Sequence, residues 1–81
     1  MKDLLEFIVK SLVTNPDTVT IEDQQQEGSS IFRLSIAPED MGIIIGKEGK
    51  TIRAIRKLLT VRAIAENIRV SLELVDVSPN A

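Results

Sequence analysis

Leu4, Leu5, Ile8, Leu12 and Val13 recur at three- and four-residue steps with charges between them. That spacing gathers apolar side chains on one face of a helix. The helix is expected over residues 1–14, because Pro16 disfavours helix at Asn15. Val19 and Ile21 then alternate with Thr18, Thr20 and Glu22, while Phe32, Leu34 and Ile36 alternate with Arg33 and Ser35. A two-residue period marks half-buried strands. Residues 24–30 are polar and end in the turn signal Gly28-Ser29-Ser30, so residues 18–37 are expected to form an antiparallel hairpin with a fairly long, exposed connection.

Pro38, Glu39 and Asp40 follow the second strand. Proline in a first turn and acids at the positive end of the dipole mark a helix start. A short helix is therefore expected from Pro38 to about Ile45. Gly46 and Gly49 interrupt it, and a longer helix begins near Lys50, so that helix, loop and helix fill residues 38–66. At about 100° per residue, Ile52, Ile55 and Leu59 share one face of the second helix, and Lys50, Arg53 and Lys57 share the opposite one. Ile68, Val70, Leu72 and Leu74 alternate with Arg69, Ser71 and Glu73, which predicts a last strand over residues 67–77, followed by a frayed tail at 78–81. The order is α-β-β-α-α-β. Two helices joining two strands of one sheet make a crossover, so the second and third strands should be parallel neighbours. The expected fold is α+β: a three-stranded mixed sheet covered on one face by three helices, in one domain spanning 1–81.

Composition narrows the chemistry. With 81 residues, 43 % hydrophobic and 27 % charged, the chain carries one modest core and lies far from the signature of disorder. Cysteine and histidine are both absent, which removes disulfides, thiolate nucleophiles, imidazole bases and the usual zinc ligands. No enzyme activity, metal or cofactor is expected. Asp3, Glu6 and Lys10 interrupt the apolar N-terminus, so it does not read as a secretion signal, and no apolar run reaches membrane-spanning length. A cytoplasmic protein is the simplest expectation.

Net charge is −2, which by itself argues against binding nucleic acid. The distribution reverses that. Residues 47–62 hold Lys47, Lys50, Arg53, Arg56, Lys57 and Arg62 against the single acid Glu48, a net +5, leaving −7 on the rest. This reads either as a basic patch on an acidic body or as ordinary solubilising charge on an exposed helix. The loop Gly46-Lys47-Glu48-Gly49 joins two helices, with a glycine at each end to admit sharp turns and close approach. Amides at the start of the following helix suit phosphate oxygens, with Lys47 and Lys50 adding full charges. The plain alternative is a helix-helix turn capped by glycine for steric reasons.

Ile44-Ile45-Gly46-Lys47-Glu48-Gly49-Lys50-Thr51-Ile52 resembles the KH signature, an aliphatic-Gly-x-x-Gly-x-x-Ile run between two helices that clamps about four nucleotides of single-stranded nucleic acid. Gly42 fits just upstream, and the order of elements resembles the type II KH fold over nearly the whole chain. With Met1-Lys2-Asp3-Leu4-Leu5-Glu6-Phe7-Ile8 at the start and Thr51-Ile52-Arg53-Ala54-Ile55-Arg56 in the second helix, the chain looks like the bacterial KhpA family of short single-KH proteins.

The resemblance implies a cytoplasmic RNA-binding protein of limited sequence preference, an RNA chaperone or post-transcriptional regulator linked to cell elongation and division. It also implies pairing, as a homodimer or with a larger Jag-type (KhpB) KH protein. The expected site comprises Gly46, Lys47, Glu48 and Gly49 of the loop with Lys50, Arg53 and Lys57 of the helix face on the RNA backbone, while bases pack on aliphatic side chains such as Ile44 and Ile45, two residues also expected to lie partly in the core. Ile43 stands where relatives often carry a basic residue, and Glu48 adds a negative charge to the loop. Only two aromatics, Phe7 and Phe32, are present, and neither is near the loop to stack on bases.

Gly49-Lys50-Thr51 imitates the end of a nucleotide-binding P-loop, but the required earlier glycine is Ile44 and the loop follows a helix instead of a strand. The remaining rival is a KH-fold protein-interaction module with weak or no RNA binding. The acidic body favours it. The one-signed face of Lys50, Arg53 and Lys57 opposes it.

Overall fold

The computed structural model describes residues 1–75. Helix α1 spans Lys2–Leu12, strands β1 and β2 span Thr20–Gln26 and Ser29–Ser35, and helices α2 and α3 span Met41–Ile45 and Lys50–Ala65. Strand β3 spans Arg69–Val75. Single 3₁₀ turns at Pro16–Thr18, Pro38–Asp40 and Lys47–Gly49 join these elements. The sheet runs β1-β2-β3, β1 antiparallel to β2 and β2 parallel to β3. This is the mixed α+β topology that the alternation and the crossover predict.

Register decides which side chains reach the helices. Ile21, Leu34 and Leu74 stand in one row across the sheet, and Asp23, Phe32 and Leu72 in the next. Phe32, Leu34 and Leu72 are buried and join Leu5 and Val9 of α1, Ile44 of α2 and Ile52, Ile55 and Leu59 of α3 in one core. The alternate rows, such as Glu22, Arg33 and Glu73, form the opposite face, where Arg33 Nε lies 3.8 Å from Glu73 Oε1. All three helices therefore cover one face, as a single apolar side per strand requires. Beyond the end of α3, Asn67 lies in the left-handed region with φ 58°. The Ile68 N–H donates back to the Ala63 carbonyl at 2.9 Å, as helix C-caps commonly do.

Two expectations are corrected. The hairpin connection is the two-residue turn Glu27-Gly28, not a loop over residues 24–30, because Gln26 already pairs with Ser29. Strand β1 is a sheet edge and all but one of its residues are exposed, so no apolar alternation was needed to hold Gln24, Gln25 and Gln26 in it. In α1 the buried stripe is Leu5 and Val9, continued by Val13, while Leu4 and Leu12 are 37 % and 41 % exposed. The steps of three and four fit either stripe. The last strand beyond residue 75 and the 78–81 tail lie outside the described residues.

Candidate nucleic-acid interface

The turn at residues 46–49 is held by backbone geometry that only part of the residue alphabet can adopt. Gly46 sits at φ 76°, ψ 173°, and a Cβ there would lie 2.8 Å from the Thr51 nitrogen and closer still to the Thr51 side chain. Gly49 is left-handed at φ 75°, ψ 15°, yet a Cβ would meet only Ile52 Cγ2 at 4.0 Å. The first glycine is required by space and conformation, the second by conformation alone. Between them Glu48 is also left-handed, φ 57° and ψ 26°.

Hydrogen bonding sorts the loop amides. The Gly46 N–H donates to the Gly42 carbonyl at 2.9 Å, the Gly49 N–H to the Gly46 carbonyl at 3.1 Å, and the Lys50 N–H to the Lys47 carbonyl. The N–H groups of Lys47 and Glu48 find no acceptor among the described residues. They stand just before the N-terminal, positive end of α3.

Side chains around the loop divide into three roles. Lys47, Glu48, Lys50, Arg53 and Lys57 are exposed, and Lys50, Arg53, Ala54 and Lys57 line one shallow recess. Of the six cations between residues 47 and 62, three are already engaged. Arg53 Nη2 donates to the Glu48 carbonyl at 3.0 Å, Arg56 Nη2 to the Leu72 carbonyl at 3.3 Å, and Arg62 Nε to Glu66 Oε2 at 2.8 Å. Lys47, Lys50 and Lys57 have no ion-pair partner among the described residues. Ile45 is 38 % exposed, but Ile44 is wholly buried. The expectation of a base packing on Ile44 is thereby corrected: its side chain anchors α2 in the core.

Sequence reasoning missed two features. Arg56, Leu59, Thr60, Val70, Ser71 and Leu72 line a groove between α3 and β3. It brings an edge strand beside a helix, so no local pattern announces it. The second is Asp40, read from sequence only as an acid at a helix start. Its residue is wholly buried. Oδ1 accepts from the Thr14 N–H at 3.1 Å and the Thr14 hydroxyl at 2.7 Å, and Oδ2 from the Asn15 N–H at 3.0 Å and the Asn15 amide at 3.2 Å. Burial pushes the carboxyl pKa up, but the bonds from Thr14 and Asn15 more than offset it, and the net shift is downward. Asp40 thus ties the end of α1 to the start of α2, the helix that delivers the chain into the loop.

Among the described residues no cluster of acids could hold a metal ion, and no helix is long and apolar enough to cross a membrane. A sequence profile of the family described as "KhpA/KhpB, KH domain" matches residues 2–74. The protein named "RNA-binding protein KhpA" of Chlamydia pneumoniae is 49 % identical over 76 residues, covering 94 % of this chain and 97 % of the relative. The protein of that name in Clostridium acetobutylicum is 48 % identical over 75 residues, covering 93 % and 100 %, and that of Treponema pallidum is 40 % identical over 75 residues, covering 93 % and 94 %.

Proposed function

The chain belongs to the KhpA/KhpB KH-domain family, and from that membership we propose that it is a non-catalytic protein gripping the backbone of single-stranded RNA on residues 46–49. The observation that carries this reading is the pair of unpartnered N–H groups on Lys47 and Glu48 beside the unpaired Lys47, Lys50 and Lys57. A phosphate oxygen accepts from the amides while the ammonium groups neutralise its charge. Glu48 presents its backbone to the RNA and its carboxylate to solvent. Bases leaving the loop meet Ile45 and the groove between α3 and β3. With no aromatic platform near the loop, sequence preference is limited. Such binding suits an RNA chaperone or post-transcriptional regulator in the cytoplasm, acting in cell elongation and division.

The deciding experiment replaces Lys47 and Glu48 together by aspartate. Asp tolerates the left-handed region, so circular dichroism should match the parent. Affinity for single-stranded RNA should fall by roughly tenfold or more at low salt. Equal affinity of variant and parent would remove the loop from the mechanism and favour the protein-interaction module.

A separate observation bears on partners. Ala54, Leu58, Val61 and Ala65 form an exposed stripe along α3, with Leu58 at 53 % and Val61 at 62 % exposure. Apolar groups gathered this way on a small domain mark a protein contact. The reading is a homodimer through this stripe, with a larger Jag-type (KhpB) KH protein as the competing occupant. Sedimentation of the parent should show a concentration-dependent dimer that Leu58→Glu abolishes. A parent that stays monomeric at all concentrations would exclude self-pairing.

A further inference from the structure

Glu48 carries a side chain in a left-handed conformation that an L residue leaves readily unless something holds it. The hold is visible in its peptide group. The Glu48 carbonyl accepts from Arg53 Nη2 at 3.0 Å, and the N–H on the other side of the same peptide bond, that of Gly49, donates to the Gly46 carbonyl at 3.1 Å. In a trans peptide the two groups point in opposite directions, so these bonds pin the unit at both poles and resist its rotation. The two preceding peptide groups, which carry the N–H of Lys47 and Glu48, then remain turned outward and unpartnered.

We propose that Arg53 is a positioning residue of the loop: its guanidinium reaches back from the exposed face of α3 and fixes the Glu48-Gly49 peptide, so that the donors meeting a phosphate are set before RNA arrives. The inference rests on the reading of residues 46–49 as the RNA-backbone site. It separates Arg53 from Lys50 and Lys57, its neighbours in the same recess. Those two act on phosphates by charge, whereas Arg53 turns one Nη2 donor back onto a carbonyl of its own chain. Preorganisation of this kind lowers the cost of ordering the loop on binding.

The experiment compares the parent with Arg53→Ala, Lys57→Ala, Glu48→Gly and the pair Glu48→Gly with Arg53→Ala. The probe is a short fluorescein-labelled single-stranded RNA of mixed sequence, titrated across a salt series, and amide exchange is followed by NMR in the free proteins. Arg53→Ala should weaken binding roughly fivefold, the scale of one lost hydrogen bond, with the salt slope unchanged and the Gly49 amide exchanging faster. Lys57→Ala should lower the slope by about 0.7 and leave Gly49 exchange as in the parent. In the Glu48→Gly background, where the left-handed conformation carries no side-chain penalty, Arg53→Ala should cost less than in the parent. The proposal is overturned if Arg53→Ala lowers the salt slope as Lys57→Ala does and leaves Gly49 exchange unaltered, since Arg53 would then be one more phosphate contact. Parent-like RNA affinity in the double aspartate variant, together with faster Gly49 exchange in Arg53→Ala, would overturn the loop's part in RNA binding while leaving the clamp itself standing.

Discussion

The hairpin end and the loop end of the molecule carry opposite charge. Between Lys10 and Arg33 the chain has no lysine or arginine, only the acids Asp17, Glu22, Asp23 and Glu27, whereas residues 47–57 carry five cations against Glu48. Helix α3 keeps the two apart. The Gly28 carbonyl at the hairpin turn accepts from the Arg69 N–H at 3.0 Å, and Gly28 shares a recess with Ile64, Asn67 and Ile68 at the C-terminal end of α3. The loop lies at the N-terminal end. The 16 residues of α3 span ~24 Å at ~1.5 Å per residue, about three Debye lengths at physiological salt. A net charge of −2 is thus an average over an acidic hairpin and a basic loop set at opposite ends of α3. An RNA held on the loop would meet the local charge, not the sum.

The two ends also differ in what holds them. The hairpin is a regular ladder with a two-residue turn, tolerant of side-chain change, whereas the loop depends on two glycines and on ties from outside it. The most severe test of that contrast is Gly46→Ala. A Cβ at this site collides with Thr51, including its backbone, so we expect a loss of ~3 kcal/mol or more, a Tm fall of more than ~10 °C in a domain of this size, and loss of RNA binding. Gly49→Ala, with open space for the methyl, should cost only ~1 kcal/mol. Thermal melts showing equal effects would mean that the packing against Thr51 is not what fixes the loop.

Asp40→Asn probes the tie behind the loop. The folded-state pKa of Asp40 lies below its ordinary value, so its contribution to stability is complete above the unfolded value, near pH 4, and is lost as pH falls through the lower folded value. The parent should therefore lose stability over that acid window. Asp40→Asn should be less stable at neutral pH and show a weaker acid dependence. Parallel stability-pH curves for the two proteins would rule out the carboxylate as the anchor.

The smallest effect is expected at the far end. Glu27→Lys changes the local charge by two units beside the hairpin turn, yet RNA affinity at physiological salt should change by less than about twofold, because that charge is screened over the length of α3. A change as large as that of the double aspartate variant, measured under the same conditions, would mean that RNA extends to the hairpin.

Much of this was legible in the chain. The two faces of α3 follow from spacing alone: Ile52, Ile55 and Leu59 are buried, and Lys50, Arg53 and Lys57 exposed. The place of the loop between two helices is equally local. The candidate loop and its neighbouring cations were legible as positions, but their hydrogen bonds were not. Exposure did not separate Arg53 from Lys57, because the difference is a hydrogen bond to a carbonyl turned out by the left-handed Glu48. Ile44 and Ile45 are adjacent and identical in type, yet only one lies in the core.

Periodicity and proline and glycine placement determined the order of elements, the parallel crossover and the position of the glycine loop, because these follow from the dihedral preferences and side-chain direction of neighbouring residues. Tertiary structure alone decided that β1 runs to Gln26 as an open edge, that Val9 and not Leu12 faces the core, that Asp40 is buried under Thr14 and Asn15, and that Arg56 is spent on β3. Each of these depends on what lies across a gap in sequence. An edge strand, a buried carboxylate and an engaged guanidinium take their energies from partners that folding brings up, and the residue types permit several such partners equally well.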